Sequence, residues 1–97
     1  MSVCLELERI ERQQLLTAVF QPLADLRLGN VFGYEGLIRG PQGTPWHNPM
    51  ALFEAAEQCG CFQSLELLCR KVVVQAFVAQ RLPGNLFLNV SPDCLSQ

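Results

Sequence analysis

The sequence predicts an α/β fold of about three strands and three helices, entered through an antiparallel hairpin and continued by a helical crossover to a third strand. Two strand-like apolar runs, AVFQPLADL and VFGYEGLIR, flank the turn-forming stretch Arg27-Leu28-Gly29-Asn30, the pattern of a hairpin. Two helical segments then separate the second strand from a third, NLFLNV. A crossover of that kind normally makes its strands parallel neighbours with a right-handed connection. The composition, 49 % hydrophobic and 16 % charged over 97 residues, suits a chain of single-domain size that buries much of itself.

The elements follow in order. Residues 1–17 hold a leading helix, because Leu5, Ile10 and Leu16 are spread among Glu and Arg from Leu5 to Leu16, an amphipathic pattern. Residues 18–39 hold the hairpin, in which Pro22 requires an edge, a bulge or an unusual strand start. GPQGTPWHNP is a loop by its Gly and Pro content. Asn48 before Pro49 is an N-cap and first-turn pair, which starts a helix running to about Gln58 with Gly60 as its stop. Ser64 can cap a second helix to about Gln80, so that two helices fill 49–80. That second helix carries Leu65, Leu67, Leu68, Val72, Val74, Ala76 and Val78 around most of its circumference, which predicts cover on more than one side. Pro83-Gly84 breaks it, and 86–90 is expected as a short buried strand before the loop SPDCLSQ.

Composition excludes several classes. A net charge of −2 gives no electrostatic reason to expect a DNA or RNA duplex or an anionic membrane surface. No run approaches the roughly 18 apolar residues of a membrane-spanning helix, so membrane insertion is not expected. The N-terminal stretch MSVCLELERIERQQLL is charged throughout and lacks the apolar core of a signal peptide, which points to the cytoplasm. The five cysteines are an odd number, and Cys59 with Cys61 forms CxC rather than CxxC. With His47 as the single histidine, the expectation is reduced thiols rather than a zinc site.

Candidate chemistry starts at GYEGLIRG, residues 33–40. Side chains alternate along a strand, so Glu35, Leu37 and Arg39 share one face. Read alone, Glu35 and Arg39 form an intrastrand salt bridge on a solvated face. A second reading uses the habit of α/β folds to place sites at the C-terminal ends of parallel strands. Glu35 and Asn89 are then hard oxygen ligands for Mg²⁺ or Mn²⁺, and Arg39 holds a phosphate by a bidentate contact. Glu57, near a helix end, reads as a surface or structural carboxylate. Trp46 and His47 read as a loop anchor rather than a lid.

Four motifs in order, Phe20-Gln21-Pro22, Glu35-Gly36-Leu37-Ile38-Arg39, Ala56-Glu57 and Asn89-Val90-Ser91, resemble the opening part of an EAL domain, the bacterial cyclic di-GMP phosphodiesterase family. The resemblance implies an incomplete (β/α)8 TIM-like barrel with an antiparallel first strand. A whole barrel of that kind needs roughly 250 residues, and this sequence matches about the first two-fifths. It also implies Glu35 and Asn89 as metal ligands, Gln21, Leu37 and Arg39 as contacts to the substrate's base and phosphate, and Mg²⁺ or Mn²⁺ as cofactor. The family's reaction is metal-dependent opening of cyclic di-GMP to linear pGpG. Further acidic ligands and a lysine belong to later strands, so no complete catalytic set is expected here and these residues alone are expected to be inactive. Gly36 departs from the family's Glu-Ala-Leu triplet, at a position expected to point away from the site. Two functions follow: part of a phosphodiesterase domain, or a degenerate module that binds cyclic di-GMP or a protein partner without catalysis. Exposed strand edges and the apolar helix further predict a homo-oligomer.

Overall fold

The computed structural model describes residues 2–88. The order is helix α1 (Val3–Gln13), strands β1 (Thr17–Asp25) and β2 (Asn30–Arg39), a short 3₁₀ turn (Pro45–His47), helices α2 (Pro49–Gln58) and α3 (Phe62–Ala79), and strand β3 (Asn85–Leu88). The sheet has the order β1-β2-β3, with β1 antiparallel and β3 parallel to β2. The described residues therefore form a mixed α/β fold with three α-helices and a three-stranded sheet.

Local chemistry sets the boundaries. Ser2 caps α1 by accepting from the backbone N–H of Cys4 at 3.1 Å, so the helix begins earlier than its apolar spacing suggests. It also ends at Gln13, before Thr17, because Gln14 turns left-handed at φ 52°. Leu7 and Ile10 face inward while Leu5 is exposed, which shifts the expected apolar stripe. The hairpin turn is set by the Asp25 carboxylate, which accepts from the N–H groups of Arg27 (2.8 Å) and Leu28 (3.1 Å), and Gly29 supplies φ +69°. Pro22 sits in β1, an edge strand where its missing N–H breaks no interior ladder. A bulge follows it between Leu23 and Ala24 and leaves Phe32 unpaired on β2.

Asn48 caps α2 as expected, its Oδ1 accepting from the Met50 N–H at 2.8 Å. Gly60, at φ +75°, closes the helix with bonds from its own N–H to the Glu57 carbonyl (3.2 Å) and from Cys61 N–H to Ala56 (2.9 Å). The start of α3 differs from expectation. It begins at Phe62 with no side-chain cap, because the Ser64 hydroxyl instead donates to the Glu11 carboxylate at 3.1 Å.

Leu7, Ile10, Leu16, Ile38, Leu52, Ala55, Ala56, Leu65, Cys69 and Val73 form the core. The helix α3 covers one sheet face, where Phe77 meets Phe20 and Tyr34 edge-on. On its opposite side Leu67, Val74 and Val78 are exposed, so the described residues do not form the expected cover on more than one side. The strand β3 is likewise not buried, with Asn85, Phe87 and Leu88 exposed. Cys4 and Cys59 form a disulfide with Cα atoms 5.6 Å apart, which overturns the expectation of reduced thiols for these two. Cys61 and Cys69 are free.

Candidate functional site

The hairpin register builds the candidate face. Gln21 pairs with Glu35, Val19 with Leu37 and Thr17 with Arg39, and directly opposite residues of an antiparallel pair share a face. Gly36, one step out of phase, lies on the other face against α3, where an added Cβ would collide with Val73 Cγ1. Gln21, Glu35, Leu37 and Arg39 are thereby gathered on the face away from α3. Gln21 is exposed and the other three are half-buried. Phe87 of β3 pairs with Glu35, and its ring covers Gly33, where a Cβ would stand 2.6 Å from Phe87 Cε2.

The surface salt bridge is not formed. Among the described residues the ion pairs are Glu8–Arg12 and Glu66–Arg70, and Glu35 and Arg39 make none with each other. The reason is geometric. Four residues of strand separate their Cα atoms by about 13 Å, at roughly 3.3 Å per residue; that spacing closes ion pairs on helices, as Glu66–Arg70 does at 2.8 Å. Arg39 instead folds back, its Nη1 donating to the Ile38 carbonyl at 2.9 Å.

Leu37 and Arg39 also line a cavity of about 120 Å³ that Gln21 and Glu35 do not reach. Its remaining wall includes Phe53 of α2, Glu66, Arg70 and Val73 of α3, and Leu88 of β3. Among the described residues β3 pairs with β2 from Gly33 to Gly36, and this cavity flanks the part of β2 that follows Gly36. Glu66 is buried and accepts from Arg70 Nη2 at 2.8 Å, while Arg70 Nε is buried without a hydrogen-bond partner among the described residues. Sequence reading missed this pair. Its signal was the i,i+4 Glu-Arg spacing inside an otherwise apolar helix.

A metal at Glu35 needs further ligands. Glu35 supplies a half-buried carboxylate, the right chemistry for Mg²⁺ or Mn²⁺. Among the described residues no group of three or more His, Cys, Asp or Glu could hold a metal ion. Asn89, the expected second ligand, lies outside the described residues. Glu57 is exposed on α2. Trp46 is an anchor, with Nε1 donating to the Glu6 carboxylate at 3.1 Å. Burial, reinforced by Glu66 and then Glu11, pushes the Cys69 thiol up to about 12. Burial first and Glu11 second also raise Cys61. Among the described residues no helix is long and apolar enough to cross a membrane.

Comparison with protein-family models, curated proteins and solved structures finds no match for this chain.

Proposed function

We propose that this chain is the opening part of an EAL-type domain that hydrolyses cyclic di-GMP to pGpG, within an incomplete (β/α)8 TIM-like barrel whose first strand is antiparallel. The observation that carries the reading is the hairpin register. It sets Gln21 directly across from Glu35 and aligns Leu37 and Arg39 along the same face, so the residues matched to the family's ligand contacts share one surface. In this reading Glu35 and Asn89 hold Mg²⁺ or Mn²⁺, and Gln21, Leu37 and Arg39 receive the base and phosphate. The metal, when bound, activates water and offsets charge on the phosphate oxygens. The protein's part is to orient the substrate: the roughly 13 Å between Glu35 and Arg39 suits a ligand of dinucleotide size better than a single phosphate.

The test is turnover of cyclic di-GMP with Mn²⁺ by the longest reading frame containing this sequence, before and after Glu35→Ala. Activity lost in the variant supports the ligand role, and unchanged turnover refutes it. The non-catalytic alternative draws on the lack, among the described residues, of any group of three or more His, Cys, Asp or Glu that could hold a metal ion. Tight binding of cyclic di-GMP without turnover would select it.

We also assign the chain to a homo-oligomer. Leu67, Val74 and Val78 stay exposed on α3, and among the described strands β1 offers an edge. The Cys4–Cys59 disulfide weighs against a reducing compartment. Light scattering at high micromolar concentration checks the oligomer; a clean monomer refutes it.

A further inference from the structure

We propose that Cys59 is a shared sulfur with two alternative partners, Cys4 and Cys61, and that exchange between the two disulfides frees helix α1 from its covalent link to α2. The CxC stretch forms the turn between two helices, with Cys59 closing α2 and Cys61 opening α3. Cys61 is a free thiol. Two residues of chain span at most about 7 Å. The left-handed turn of Gly60, at φ +75°, shortens that span into the roughly 4.4–6.8 Å that a disulfide accepts between Cα atoms. One helix engages both cysteines of the turn. Cys4, in the first turn of α1, is bonded to Cys59. Glu11, near the other end of α1, accepts from the Cys61 thiol and from the Ser64 hydroxyl at 3.1 Å. Seven residues of helix separate Cys4 from Glu11 by about 10 Å, so the resting thiol is held two turns from the Cys4 anchor. Burial first and this carboxylate second raise the Cys61 pKa, which keeps the thiol protonated and a poor nucleophile.

Fraying of α1 at its Glu11 end withdraws the carboxylate, and the Cys61 thiol then loses its proton to water. The Cys61 thiolate attacks Cys59 Sγ. The new bond joins Cys61 to Cys59 as the Cys59–Cys4 bond breaks, and Cys4 leaves as a thiolate that takes a proton from water. One disulfide and one thiol are consumed and one of each is made, so the step needs no outside oxidant or reductant. Afterwards α1 is held by the burial of Leu7 and Ile10 and by the Trp46–Glu6 and Ser64–Glu11 hydrogen bonds, without a covalent link. The partner chosen by Cys59 thus sets how firmly α1 is docked, and Glu11 is the positioning residue that favours Cys4.

The test holds the oxidised full chain in mild urea, quenches samples at intervals with an alkylating agent and maps the fragments. Cleavage after Arg9 yields fragment 1–9, which is cross-linked through Cys4 before exchange and free with an alkylated Cys4 after it. Fragment 1–9 should appear at constant total thiol in wild type and at the same rate in Cys94→Ser. Its release should be about tenfold or more slower in Cys61→Ser and severalfold faster in Glu11→Gln. Release at the wild-type rate in Cys61→Ser, release lost in Cys94→Ser, or no release even in Glu11→Gln each overturns the proposal. Cys4→Ser remains informative if Cys61→Ser fails to fold. Treated with glutathione disulfide, it should form the Cys59–Cys61 bond, and two cysteines that both stay open to alkylation would overturn the exchange.

Discussion

Gly36→Ala restores the family's Glu-Ala-Leu triplet, and the structure predicts that it destabilises the fold. The new Cβ would stand 3.5 Å from Phe20 Cε1 and from Val73 Cβ but would overlap Val73 Cγ1. Both Gly36 and Val73 are buried, so the strand and α3 must separate or Val73 must leave its rotamer. Overpacking of this kind costs about 1–3 kcal/mol. Replacing a strand glycine returns about 0.5–1 kcal/mol of backbone entropy. The net loss is about 0–2.5 kcal/mol with a midpoint near 1.25, which is roughly 5–10 °C in Tm for a chain of this size. Urea unfolding of wild type, Gly36→Ala, Val73→Ala and the double variant forms a cycle. The double variant should be more stable than the sum of the single losses predicts, by about 1–2 kcal/mol. A Gly36→Ala protein as stable as wild type, or strict additivity, would refute the argument that α3 selects glycine.

Other outcomes can be checked alongside. Cys4→Ser opens the loop between residues 55 apart in sequence, and chain entropy puts its cost at about 4 kcal/mol; a urea midpoint unchanged by the substitution would show that the two thiols are not joined. The Cys69 thiol, raised by burial, Glu66 and Glu11 to about 12, lies above the roughly 8.5 of an unfolded cysteine. Its contribution is therefore fully present below about pH 8.5 and is lost as pH rises toward 12, by up to about 1.4 kcal/mol per unit. Unfolding midpoints at about pH 8 and pH 10 should diverge more for wild type than for Cys69→Ala, and parallel profiles would sink the assignment. Glu11→Gln should speed alkylation of Cys61, whose pKa Glu11 helps to raise; an unchanged rate counts against that contact.

Where the determinants are local, the sequence is legible. Asn48-Pro49 and Gly60 mark the ends of α2 because a cap and a positive φ are decided within a few residues. Ser64 misleads for the same reason: its hydroxyl has a partner on α1, 53 residues away, and no local rule contains that partner. The Cys4–Cys59 bond is hidden likewise, since spacing carries no connectivity. The shared face of Gln21 and Glu35 follows from hairpin pairing and alternation alone. The distance between Glu35 and Arg39 was also available in advance, because a strand rises about 3.3 Å per residue. The cavity with Glu66 and Arg70 needs the packing of α3 against β2 and could not be read from one strand.

The disulfide joins helix α1 to the end of α2, and so turns the stretch from residue 4 to residue 59 into a covalent ring. The whole hairpin lies within it, while α3 and β3 hang from it as a tail. A tryptic cut at Arg27, in the exposed turn, would leave one molecule heavier by a single water, its two pieces separating only on reduction. The same cut beyond Cys59, at Arg81, would release the tail's end at once.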